Sequence, residues 1–136
     1  MSFEDTFRKI KVKDEVVTDT LTATTATITS VAQPYATYTA TATNTNNTGF
    51  IGLNHASVPV VISVPAPGAA GKSLIIRNSS ASGTAAHAVT ATGSTFDGTN
   101  NTATFNAPGE QLILYSVSAT AWIIILNSGS VAMSSA

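Results

Sequence analysis

The chain has 136 residues, a mass of 13.8 kDa and a formal net charge of -1 from 6 basic and 7 acidic residues, which leaves room for one small domain and none for a second, catalytic one. Its charged fraction of 10% lies far below the roughly 25% usual in soluble domains, with Thr, Ser, Asn and Ala in their place, and the absence of cysteine removes disulfides, thiolate metal sites and thiol nucleophiles. A hydrophobic content of 43% is enough to line a core at this length, so the composition points to an all-β protein that owes its stability to packing and to association of subunits.

Charge is concentrated at the start of the chain. Glu4, Asp5, Arg8, Lys9, Lys11, Lys13, Asp14, Glu15 and Asp19 are nine of the thirteen charged residues, which sets residues 1–19 apart as a charged N-terminal arm. Ser2 followed by Asp5 is a weak capping box, and Phe3, Phe7 and Ile10 recur at helical spacing, so the arm is expected to be extended or a short amphipathic helix. A helix this short holds only when its apolar face docks on something. Phe3, Phe7 and Ile10, with Arg8, Lys9, Lys11 and Lys13 around them, are therefore candidate anchoring residues. The arm is charged where a secretory signal would be apolar, and the longest apolar run, residues 121–126, is far short of the about 20 residues that span a bilayer. Neither a membrane nor, with no basic stretch after Lys13, a nucleic acid is an expected partner.

Residues 20–33 form a Thr-rich linker expected to be extended, with Leu21 and Ile28 as its bulky apolar groups. From residue 34 onward the pattern is that of a β-domain. Ala36, Tyr38, Ala40 and Ala42 alternate with Tyr35, Thr37, Thr39, Thr41 and Thr43, which predicts one half-buried strand, and the Asn-rich segment 44–49 predicts a turn. Further strands are predicted over residues 50–53, 58–64, 74–77, 88–92, 102–106, 111–117 and 121–126, punctuated by turn residues. Such short, closely spaced strands predict a small antiparallel β-sandwich or jelly-roll-like domain. The last two strands are apolar on both faces, so their hairpin must meet a second sheet or a neighbouring subunit. Trp122, Ile123 and Ile125, together with Leu21 and Ile28, are candidates for that subunit packing.

Chemistry-bearing motifs are few. Residues 66–73 fit a relaxed phosphate-loop pattern, but such a loop needs a helix to begin at its Lys, and here Lys72 leads into a predicted strand, so a turn is expected. Past the arm the ionisable inventory relevant to catalysis is Asp97, Glu110, His55 and His87, none adjacent to another in sequence. No enzyme, cofactor or metal site is expected from it, although His87 and Asp97 could meet a serine in space. The sequons at Asn46, Asn78 and Asn100 are the chance yield of an Asn- and Thr-rich chain. Exposed aromatic groups flanked by polar forks, around Tyr35, Tyr38 or Trp122, suit a saccharide, although Trp122 opens an apolar strand and such a residue is more often core.

The stretch 93–126, with its Phe96-Asp97-Gly98 turn, Thr/Ala strand, Gly109-Glu110 turn and Trp122-led apolar strand, is similar to a pattern of small β-domains in tailed-bacteriophage virion proteins. The upstream segment 72–83 resembles the strand and turn that precede it there, and the Thr-rich 19–30 resembles linkers of phage fibres and capsid decorations. The resemblance implies a homotrimeric virion protein, made in the host cytoplasm. Its place would be the outer capsid surface as a decoration or cement protein, with the major capsid protein as partner. The alternative it implies is a fibre or receptor-binding module that recognises a host surface glycan.

Overall fold

The computed structural model describes residues 32–136, and the arm, with Phe3, Phe7, Arg8, Lys9, Ile10, Lys11 and Lys13, and the linker residues Leu21 and Ile28 lie outside them. The described chain is all-β, and no helix occurs among its residues. Ten strands are β1 (Tyr35–Tyr38), β2 (Ala42–Thr43), β3 (Gly49–Leu53), β4 (Val61–Pro65), β5 (Ser73–Asn78), β6 (His87–Thr92), β7 (Thr102–Phe105), β8 (Gln111–Ser116), β9 (Trp122–Ser128) and β10 (Ala132–Ser134). They build two five-stranded sheets, the first in the order β1-β3-β5-β8-β9 and the second in the order β10-β7-β6-β4-β2.

Both sheets are mixed, which corrects the antiparallel expectation. β1, β3 and β5 run parallel in the first sheet, as do β2, β4 and β6 in the second, and the antiparallel pairs follow only later in the chain. The reason lies in where the turns lead. Connections 54–60, 66–72 and 79–86 are too short for a parallel crossover within one sheet, which takes a dozen or more residues, but long enough to cross the roughly 10 Å between packed sheets. The chain therefore alternates between the sheets, and each return lays a strand parallel to its predecessor. Three such coils are then closed by β7 to β10.

One alternating segment, residues 35–43, is divided for the same reason: Thr39, Ala40 and Thr41 carry the chain from β1 in the first sheet to β2 in the second. β10 was not legible in the sequence. Asn127 sets it up by acting as a backbone mimic, its Oδ1 accepting from the Val131 N–H at 2.8 Å and its Nδ2 donating to the Val131 carbonyl at 2.9 Å.

Inward side chains of both sheets make one core. Ile51, Ile76 and Leu112 stand in register across the first sheet, and Ile62, Val89 and Ala103 across the second, all buried. Phe96, Phe105 and Trp122 fill the space between them. Burying each such side chain contributes about 1.5–3 kcal/mol. Trp122, proposed from sequence as a subunit contact, is only 1% exposed and packs the core of its own chain: its inward place at the start of β9 removes it from any neighbour's reach.

Candidate functional site

The outward face of the first sheet follows from strand alternation plus register. Pairing places Tyr35 beside Phe50, Phe50 beside Ile75, Ile75 beside Ile113 and Ile113 beside Leu126. One outward apolar residue from every strand thus joins a single row that crosses the whole sheet, about 19 Å at the usual strand spacing. Tyr35 is 71% and Leu126 45% exposed, while Phe50, Ile75 and Ile113 are half-buried. The Tyr35 and Phe50 rings stack with centroids 5.1 Å apart and planes 8° from parallel.

Beside the row, Tyr115 pairs with Ile123, and a bulge in β9 between the Leu126 and Ile124 pairings turns Ile125 out to 60% exposure. Ile123 and Ile125 are therefore surface residues. The opposite outer face, on the second sheet, has a different chemistry. Its matching row is Thr43, Ser63, Thr90, Thr102 and Ser134, a hydroxyl from each of five strands. Solvent suits that row, whereas the aliphatic and aromatic row of the same length leaves apolar surface exposed at Tyr35 and Leu126.

A groove of about 540 Å³ lies at the β1 end of the apolar face, lined among others by Gln33, Tyr35, Thr48, Phe50, Lys72 and Ile75. The Thr48 hydroxyl is within 3.0 Å of Gln33 Oε1 and 3.1 Å of the Ser73 carbonyl, and Lys72 Nζ donates to Asn47 Oδ1 at 2.8 Å. Lys72 ends the 66–72 turn and is followed by β5, so no helix N-terminus forms there and the phosphate-loop geometry is absent.

Of the ionisable residues only His55 and His87 lie near one another, either side of Ser80. His87 is fully buried, its Nδ1 accepting from the Val60 N–H at 2.9 Å. The ring proton must then sit on Nε2, which faces Ser80 Oγ at 3.2 Å. That hydroxyl in turn donates to the His55 carbonyl at 3.1 Å, so Ser80 is held by a proton donor, the reverse of an activated nucleophile. Asp97 caps its own turn, accepting from the backbone of Thr99 and Asn100 and from the Asn100 side chain, and the side-chain bond chiefly holds its carboxyl below the usual value. Glu110 likewise accepts from the Asn106 and Ala107 N–H groups of the turn before β8. Among the described residues no group of three His, Asp or Glu side chains is placed to hold a metal ion.

Of the residues singled out in the sequence for subunit contact, the structure brings Ile123 and Ile125 to the apolar face. Tyr35, which the sequence marked only for a saccharide, and Phe50, Ile75, Ile113, Tyr115 and Leu126 complete it; none was marked for subunit contact, because the face comes from pairing between strands far apart in the chain. Their one local signal was the two-faced apolarity of the last hairpin. No family model, curated protein or solved structure matches this chain.

Proposed function

We propose that this protein is a structural subunit of a tailed-bacteriophage virion, a decoration or cement protein that sits as a homotrimer on the outer capsid surface. The observation that carries the reading is the apolar row across the first sheet, set against the hydroxyl row on the second: one face is finished for water and the other for a partner. The arm, residues 1–19, reaches to adjacent shell subunits of the major capsid protein, and three arms on one trimer turn a weak single contact into avidity. A ligand that binds only the assembled shell stabilises it by mass action. The test is to heat purified shells with and without saturating protein and follow their disruption. The reading predicts a higher disruption temperature with the protein present, and an unchanged one contradicts it.

A second reading, binding of a host surface glycan, is favoured by the groove, where the exposed Tyr35 ring offers a stacking platform beside the polar groups of Gln33, Thr48 and Lys72. The two readings compete for one surface, since a subunit contact along the row covers Tyr35 and Phe50.

A further inference from the structure

The end of the domain where β3 and β5 leave the first sheet is held shut by two imidazole acceptors. His87 Nδ1, at the start of β6, accepts from the Val60 N–H, and His55 Nδ1 accepts from the N–H groups of Ser57 at 3.2 Å and Val58 at 2.9 Å. All three donors belong to one connection, residues 54–60, which carries the chain from β3 to β4. The two histidines are joined through Ser80. Its hydroxyl accepts from the His55 N–H at 3.0 Å and from His87 Nε2, and donates to the His55 carbonyl, so its one donor and two acceptor positions are filled. Connection 79–86 also lies backbone to backbone on connection 54–60: the Thr84 N–H donates to the Ala56 carbonyl at 3.2 Å, and a Cβ on Gly83 would collide with that carbonyl.

We propose that this cluster is an acid-released clasp: uptake of a proton by His87 opens connections 54–60 and 79–86 locally, while both sheets stay folded. A neutral imidazole has one acceptor nitrogen and an imidazolium has none. The added proton therefore sets one N–H against the Val60 N–H, and turning the ring over only exchanges which donor meets it. In a buried site that mismatch is costly. The surroundings favour the neutral ring: burial first, then the His55 charge, against the smaller opposing effect of the His55 backbone hydrogen bond. The other charged groups are engaged or distant. Glu110, on the turn before β8, gives its carboxylate to the Asn106 and Ala107 N–H groups, and the Tyr38 hydroxyl donates to Asn44 Oδ1. Arg77 is exposed on β5, while Lys72 and Asp97 lie beyond the opposite ends of β5 and β6. Opening stays local because little apolar surface resists it: among residues 54–60 only Val60 is buried, and in 79–86 only Ser80 and Ala85 are.

The test is amide hydrogen exchange of the full 136-residue chain at pH 7.5 and pH 5, corrected for the intrinsic pH dependence of exchange. The Val60 and Thr84 N–H groups are expected to exchange faster than those of Val89 and Leu112, which lie in strands paired on both sides. Their protection is expected to fall between pH 7.5 and pH 5 by up to about 30-fold, the limit for one proton taken up below the ordinary imidazole value of 6.5. His87→Asn, which offers Oδ1 in the place of Nδ1 but does not titrate, is expected to lose this dependence at whatever stability it folds. Val60 and Thr84 protected as strongly as Val89 and Leu112 would mean that the cluster parts only when the whole domain unfolds, which overturns the clasp and leaves a pH-dependent global stability standing. Protection that does not change with pH, or that changes equally in His87→Asn, overturns it as well. Should His87→Asn fail to fold, the two wild-type comparisons still decide.

Discussion

His87 Nδ1 accepts a hydrogen bond from the Val60 backbone N–H at 2.9 Å, which fixes the imidazole as the neutral Nε2–H tautomer inside a fully buried site. A second proton could only enter at Nδ1, at the cost of that bond. Burial above all, and then the charge His55 carries when protonated, hold His87 below the ordinary imidazole value of 6.5, against a smaller opposing effect of a hydrogen bond with the His55 backbone.

Because the folded pKa is lowered, the unfolded chain takes up the proton first as pH falls. The stability that the neutral ring contributes is fully present above about pH 6.5 and is lost as pH falls through that value toward the folded pKa, by at most about 1.4 kcal/mol per pH unit for one proton. Urea unfolding at pH 7.5 and pH 5 is expected to show a lower midpoint at pH 5. His87→Phe is expected to flatten this dependence while lowering stability at pH 7.5 by about 1–3 kcal/mol, because the Val60 N–H then lacks its acceptor. An equal pH dependence in the variant would assign the titration to other groups.

Gly49 and Gly109 separate two costs of adding a methyl group. Both have positive φ, +96° and +86°, but a Cβ at Gly49 would collide with the Pro34 carbonyl, whereas at Gly109 nothing lies within 4 Å. That carbonyl accepts the Phe50 N–H at 2.8 Å and so fixes the start of the row. Gly109→Ala is expected to cost about 1–2 kcal/mol from backbone strain alone. Gly49→Ala should cost clearly more and shift the Tyr35–Phe50 stack; thermal unfolding of the two variants side by side checks the order.

Much of the secondary structure was legible in the sequence, because alternation and β-branched residues mark strands one at a time. Seven strands, from β3 to β9, fall where the pattern puts them to within a few residues. Pairing was not legible: Phe50 stands beside Ile75, and no local pattern encodes that distance. For the same reason the antiparallel expectation failed and the apolar row emerged only in three dimensions. The break at Thr39–Thr41 was hidden because no Gly or Pro marks it, and β10 because three residues ending in Ser are too few to show a period.

Deleting residues 2–19 is expected to leave both the β-domain fold and the oligomeric mass unchanged while abolishing association with shells. Light scattering and sedimentation on the same sample check both halves. Retained shell binding by the truncated chain would move the anchor into the β-domain.

The proposed role is tested most directly by co-sedimentation of the purified 136-residue chain with empty shells of the tailed phage proposed to encode it. The protein is expected to pellet with the shells and to saturate at a fixed ratio to the major capsid protein. Protein that stays in the supernatant at every concentration, with shells pelleting alone, would contradict it.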